Sequence, residues 1–581
     1  VANAQPANDS DYESVSFYSH VAQSDNINPE LLASEIVHYI ESLAKEPTNT
    51  SLVREDAAKV RTFYVDAQNG NDSNTGLSAK KAWKSLEKVN SVNFVNGDRL
   101  LFKKGLVYPG SLMLKATGTE TAPVVVDAYG TGSMPVIDGK GQLAAMVLDG
   151  CSYLEVNNLE FISDGGEPVV PQAATRRDGI SITYSNGNYH HIVLRGLYVH
   201  DVFATNAMEN QAGFGINVQA GTGGALRGFV IENCRIERTA ATGIMIRGGR
   251  GEGLTLRDLK IINNKLTDIG GPGMNPMMVA NLLVNGNIVT RSGSVADARM
   301  RGRGSCIWPW GSDSVLIEKN VFTGARGIND CCGAHIDFNC KNVIIQYNLS
   351  MDNEGGFVEI LGNNHNCSYR YNISINDGAR VKGEERLHPN GSTLKMALDG
   401  KTIFLSSFVG NNAVRNGPYN SYIYNNTIFV KEDMHSVYNF TRVTDGALVA
   451  NNILYVLGPT KMASDEEGRV IFPDSVAIKN VMVKNNLYLK PNTLPANLPL
   501  QDGKPITDSS PIIGDPMFKN AGGNAAEDYI PANAALIKDR SIKIEKLPGD
   551  KVGLYLGLEV TKDFFGNPIV GTPDLGAVEM K

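Results

Sequence analysis

Ile-Ile-Asn-Asn-Lys-Leu at 261–266, Ile-Tyr-Asn-Asn-Thr-Ile at 423–428 and Val-Ala-Asn-Asn-Ile-Leu at 449–454 are copies of one phrase: an apolar run that ends in asparagine and then resumes. The phrase also reads Val-Asn-Asn-Leu at 156–159, Ile-Glu-Asn-Cys-Arg-Ile at 231–236 and Val-Asn-Gly-Asn-Ile at 284–288. Further copies are Ile-Glu-Lys-Asn-Val-Phe at 317–322, Ile-Gln-Tyr-Asn-Leu at 345–349, Tyr-Arg-Tyr-Asn-Ile at 369–373 and Val-Lys-Asn-Asn-Leu at 483–487. From Asn320 to Asn348 the step is 28 residues, from Asn348 to Asn372 it is 24, and from Asn426 to Asn452 it is 26. A near-constant period of this size marks a unit that stacks on copies of itself.

The runs are short, rich in Val, Ile, Leu, Tyr and Phe, and bounded by Gly and Asn, so they read as strands. A unit of this length holds about three strands and three turns. Stacked at ~4.8 Å, such units make an all-β, single-stranded right-handed parallel β-helix. Asparagine at a fixed place in each coil tolerates the left-handed backbone of a tight turn, and its amide can bond the equivalent amide one coil away. The sequence argues against a propeller of Trp-Asp repeats, because the chain has only Trp83, Trp308 and Trp310.

A net charge of −7 argues against nucleic acid or an anionic membrane as partner. No apolar run is long enough to span a bilayer as a helix. The small residues Ala2 and Ala4 have the form of a signal-peptidase site, which predicts export. The seven cysteines, Cys151, Cys234, Cys306, Cys331, Cys332, Cys340 and Cys367, form neither a disulfide framework nor a C-x-x-C zinc pair. They are expected to fill the coil interior, and no metal ligands are assigned.

Residues 1–62 read as a leader with an N-terminal helical cap, since Leu32, Ile36, Ile40 and Leu43 fall at helical spacing. The solenoid is expected over 63–581. Its repeat breaks twice: Asn287 to Asn320 is 33 residues, and Asn372 to Asn426 is 54, too long for one coil. These breaks place long loops near 288–316 and 376–420, where a regular scaffold usually carries its binding residues. The Asp/Asn-rich stretch 69–76 offers oxygen ligands of the Ca2+ kind, but it lacks the EF-hand spacing. A turn held by its own side chains is the preferred reading.

The opening Phe63-Tyr64-Val65-Asp66, Asn69-Gly70-Asn71-Asp72, Ala82-Trp83-Lys84-Ser85-Leu86 and Gly97-Asp98-Arg99-Leu100 resembles the first coils of bacterial right-handed β-helix proteins of polysaccharide degradation. The tail, Asp563-Phe564-Phe565-Gly566-Asn567-Pro568 with Asp574-Leu575-Gly576-Ala577-Val578-Glu579, is similar to the closing segment of the same group. The resemblance covers 63–579. It implies a secreted or cell-surface protein with a poly- or oligosaccharide substrate, and it fixes neither one activity nor an oligomeric state.

The central coils hold the densest polar set. In Ala334-His335-Ile336-Asp337-Phe338, alternation sends Ile336 and Phe338 inward and His335 and Asp337 out. Glu359 shares a face with Phe357 and Leu361, which leaves its direction open. Asp337 and Glu359 are 22 residues apart, close to one coil, so they are expected about 5 Å apart. That suits one carboxyl as proton donor and one as nucleophile or base, with Asp330 competing for either role. His335 and Glu354 are expected beside the substrate. Trp308 and Trp310 offer flat faces for sugar rings. Arg301, Arg303, Arg370 and Arg380 offer bidentate recognition of an acidic or sulfated sugar.

The expected function is a glycoside hydrolase working by carboxylate acid/base chemistry. A polysaccharide lyase is the alternative, with Arg370, Arg380 or Lys382 taking the proton beside a uronate carboxylate. A non-catalytic glycan-binding β-helix is the third class. The signatures of polygalacturonases are absent, as is a Gly-x-Ser-x-Gly elbow.

Overall fold

The computed structural model describes residues 60–581 apart from 206–212, 250–253, 464–469, 492–493 and 496–499. The expected leader and helical cap lie outside the described residues, except at their last positions.

Two parallel sheets of 14 strands run the length of the molecule. The first starts at Thr62–Val65 and ends at Lys479–Lys484; the second starts at Val107–Pro109 and ends at Ile512–Ile513. A third face opens as a sheet of 7 strands, from Asn93–Val95 to Met274–Met277, and closes as one of 4, from Gly356–Ile360 to Thr460–Met462. Each strand pairs with its counterpart one coil on, so the chain is a parallel β-helix. Alternation points one set of side chains into the coil, and the interior is a continuous stack such as Ile216, Ile244, Met274, Ile307, Ala334 and Val358. All seven cysteines are buried and free.

The turn between the first and second sheets explains the asparagine phrase. The residue before each ladder asparagine takes positive φ: Asn263 at 55°, Lys319 at 56°, Tyr347 at 56°, Asn425 at 50°, Asn451 at 58° and Asn485 at 57°. The next residue makes the ladder. Asn264, Asn287, Asn320, Asn348, Asn372, Asn426 and Asn452 each donate Nδ2–H to the Oδ1 of the next, and the run ends where Asn486 donates to Asp508 Oδ2. The two properties expected of one asparagine are thus divided between neighbours. Upstream, the ladder position is apolar (Leu159, Leu197, Cys234), and the stack there is oil rather than amide.

Asn372 bonds Asn426 directly at 3.0 Å. The 54 residues between them are therefore one coil with excursions, which corrects the expectation that they exceed a coil. One excursion is a hairpin pairing Glu385–Leu387 with Thr393–Lys395; the other spans 406–418. The loop at 69–76 is held by its own side chains: Asp72 accepts from the Lys84 and Ser85 N–H groups and the Ser85 hydroxyl, and Asn71 from Ser73.

The C-terminal segment crosses the outer face of the first sheet. Ile544, Leu547, Leu554 and Tyr555 cover Tyr371, Tyr422 and Tyr424. Asp550 accepts from Asn366 and from the Tyr422 hydroxyl.

Candidate active site

Between Met274–Met277 and Gly356–Ile360 the third face narrows to single bridges. Met274 pairs with Ile307, Ile307 with Ala334, and Ile336 with Ile360. Proline occupies the adjacent places at Pro276 and Pro309, where it offers no N–H to a ladder. The inward residues remain in register, so the outward ones line up across coils. Asn275, Trp308, His335, Glu359 and Phe404 form one row; Met277, Trp310, Asp337 and Leu361 form the next. The His335 N–H donates to the Ile307 carbonyl, and the Asp337 N–H to that of Pro309.

Every long excursion near this face leaves at its edges. The chain between the second sheet and the third face carries 293–304, 324–331 and 376–400, and these pieces form one wall. The hairpin lies over the arginine loop, with His388 Nε2 at 2.8 Å from the Met300 carbonyl oxygen. Arg386 donates to Glu354 at 2.5 Å, and the Gly327 N–H donates to the other Glu354 oxygen. Opposite, Phe408 on the 406–418 excursion meets Phe338, which in turn meets Trp310 edge-on at 5.5 Å. The face is thus a trough with Trp308, His335 and Glu359 along its floor.

Asp330 stands at the foot of the first wall. It and Cys331 both have positive φ, 48° and 68°, a strained turn of the sort that accumulates at functional sites. The chain one coil on passes close beneath: a Cβ at Gly355 would lie 1.8 Å from the Asp330 carbonyl oxygen, so only glycine fits. Arg303 grips the Asp330 carboxylate through Nε at 2.9 Å and Nη2 at 2.6 Å. Burial pushes that carboxyl up, but the charges of Arg303, His335 and Arg380 outweigh it and hold it below its ordinary range.

On the floor, the Ser305 hydroxyl lies 2.9 Å from His335 Nδ1 and accepts the Cys332 N–H at 3.0 Å. Trp308 stacks on His335 with centroids 5.3 Å apart, and its buried Nε1 has no hydrogen-bond partner among the described residues. Burial, and next the Glu359 carboxylate, push the Cys332 thiol well above its ordinary value. It stays protonated and donates to Glu359 Oε2 at 2.9 Å.

The residues expected at a site divide into three groups. Asp330, Asp337, Glu359, His335, Trp308 and Trp310 are brought to the trough, with Arg303 behind Asp330. Glu354 and Arg380 are beside it but tied into the wall: Arg380 gives its guanidinium to the carbonyls of Leu398, Gly327 and Asp330. Arg301 lies in the same wall, its N–H on the Ala240 carbonyl. Arg370 is elsewhere. It sits on the first sheet, bonded to Gln346, the Tyr424 hydroxyl and the Gly557 carbonyl under the C-terminal segment, because its strand faces a different side of the coil.

Two further expectations are corrected. Phe338 does not point inward: the chain turns a corner there, and the ring is half-buried between Trp310 and Phe408. Nor is Glu359 opposite Asp337. The register sets it beside His335, with Leu361 beside Asp337. One coil of offset plus two residues puts the Asp337 and Glu359 backbones about 8 Å apart rather than 5 Å. The signal was in the sequence: this coil's ladder step, Asn348 to Asn372, is 24, and His335 to Glu359 is also 24. Ser305 and Cys332 were missed because their role exists only through neighbours on adjacent coils.

These features define a right-handed parallel β-helix with an acid-lined trough on one face, and a family described as right handed beta helix region matches residues 214–428. Across 89% of its length the chain is 24% identical to the lacto-N-biosidase of Bifidobacterium longum subsp. longum, of which it spans 36%, about a third. Among solved structures it is similar to the GH136 lacto-N-biosidase from Eubacterium ramulus, at 22% identity and a TM-score of 0.50 over 69% of this chain and 68% of that one. The complex of XylC with xylose aligns over 90% of this chain and 98% of that one, at 11% identity and a TM-score of 0.49. Among the described residues no helix is long and apolar enough to cross a membrane.

Proposed function

We propose that the chain is a glycoside hydrolase that cleaves a glycan in this trough, with lacto-N-biosidase activity the first to test. The observation that carries the reading is the set of carboxylates Asp330, Asp337 and Glu359 around one aromatic floor, in a chain similar to lacto-N-biosidases. Hydrolysis needs one carboxyl that holds a proton for the leaving oxygen and one that stays ionised. Arg303 makes Asp330 the ionised partner, acting as nucleophile or base. Glu359 already accepts the Cys332 thiol proton, so Asp337 is the better proton donor, and Glu359 orders the floor. Trp308 supplies a stacking face and an unused N–H for a sugar hydroxyl. The lyase alternative is not favoured, since Arg370 is remote and Arg380 spends its donors on backbone carbonyls.

The test is a panel of lacto-N-biose glycosides and uronate polymers, scored for new reducing ends and for ultraviolet-absorbing unsaturated product. Reducing ends without ultraviolet product are expected. Asp330→Asn and Asp337→Asn should each lower kcat about 10³-fold, within the usual span of acid/base contributions, while both variants remain folded. Unsaturated product, or full activity in both variants, would sink the reading.

A further inference from the structure

Cys332, His335 and Glu359 place a thiol, an imidazole nitrogen and a carboxylate oxygen within 4.8 Å of one another, and all three residues are buried. They come from adjacent coils. Cys332 pairs across the bridge with Gly356, and the neighbouring bridge of Ile336 with Ile360 sets Glu359 next to His335. The donors therefore hang from backbone that the ladder already fixes, and little ordering remains to be done on binding. The Ser305 hydroxyl ties two of the three together, at His335 Nδ1 and at the Cys332 N–H.

We infer that Cys332, His335 and Glu359 form a binding site for a thiophilic divalent cation of the Zn2+ class on the floor of the trough. Sulfur, imidazole and carboxylate are the ligand types zinc takes, and a thiolate discriminates against Ca2+ and Mg2+. Bonds of ~2.3 Å to sulfur and ~2.0–2.2 Å to nitrogen and oxygen set tetrahedral ligand separations of roughly 3.3–3.7 Å. The donors need only side-chain rotation to reach that spacing, because Cys332 Sγ and Glu359 Oε2 are already 2.9 Å apart. The ion takes the place of the proton they now share: the Cys332 S–H bond breaks, a sulfur–metal bond forms, and the proton leaves to solvent. Three protein ligands leave a fourth position for water or another ligand, the pattern of reactive rather than structural zinc sites. Sequence spacing conceals the set, because Cys332 and His335 are three apart while the third ligand is one coil away.

This inference does not depend on the hydrolase reading, and its test uses no substrate. The full chain is titrated with Co2+, whose thiolate charge-transfer absorption reports a sulfur ligand. One Co2+ per chain with that band, displaced by Zn2+, is expected. Cys332→Ala and His335→Gln should each abolish the band, Glu359→Gln should weaken Co2+ binding tenfold or more, and Cys331→Ala should leave it intact. No band in the wild-type protein overturns the proposal. So does a band that survives Cys332→Ala, or one lost in Cys331→Ala but kept in Cys332→Ala. Should Cys332→Ala fail to fold, the wild-type band together with His335→Gln decides the matter.

Discussion

Asp377 shows how much one oxygen decides. It stands where a short second ladder has Asn353 one coil earlier, and its Oδ1 accepts both the N–H and the Nδ2–H of Asn353 while Oδ2 accepts the Ser374 hydroxyl. Burial pushes this carboxyl up from 3.8 to about 6, and the hydrogen bonds from Ser350, Ser374 and Asn353 only partly offset it. Between those values the folded protein holds a proton that the unfolded chain has released. Stability therefore falls as pH rises from about 4 to about 6 and stays low above that, by about 3 kcal/mol at most for a shift of this size. Asp377→Asn keeps the accepting oxygen and removes the charge. Its denaturation midpoint should exceed the wild-type value at pH 7, with the gap closing as pH drops to 4. A gap that does not change across that window would show that Asp377 is ionised at no cost in the fold.

At the scale of the element, the ladder was the part most legible in the sequence, because each coil repeats one local problem: a left-handed turn residue followed by a buried amide. Asn348 bonds Asn372 on one side and receives the N–H and Nδ2–H of Asn320 on the other. Asn348→Ala leaves the buried Asn320 N–H without an acceptor and takes one of three acceptors from its Nδ2, which keeps the Val284 and Glu318 carbonyls. It should cost about 2–4 kcal/mol, one unsatisfied group plus one lost hydrogen bond. Asn264 receives only the Cys234 N–H from its upstream side, so Asn264→Ala should cost measurably less in the same urea titration. Equal losses would mean that the coils do not use the amides as a connected stack. The trough was half legible. Which acids gather there followed from the breaks in the repeat, but which acid faces which depended on register, and a two-residue error in coil length turned an expected pair into a diagonal. Arg303 holding Asp330, and Cys332 meeting Glu359, are contacts between coils that no local pattern announces.

For the whole molecule, a solenoid must cover whatever apolar surface its outward rows present. Here Tyr371, Tyr422 and Tyr424 make such a surface on the first sheet, and the C-terminal segment lies over it. Arg370 joins the two layers: Nε bonds Gln346 within the sheet, and Nη1 bonds both the Tyr424 hydroxyl and the Gly557 carbonyl. From sequence alone, Arg370 is a candidate for substrate recognition, being an arginine in the polar set of the central coils that could bind an acidic sugar through two donors. Its place on a different sheet from the trough separates that role from this one. Arg370→Leu removes a buried charge together with its bonds to the covering segment, so it should cost about 2–3 kcal/mol. It should also speed proteolytic removal of the residues beyond 540. Turnover per folded molecule should stay at the wild-type level, because the trough lies on another face. A fall in kcat at unchanged stability would return Arg370 to the substrate, and unchanged proteolysis would show that the covering segment is held by its apolar contacts alone.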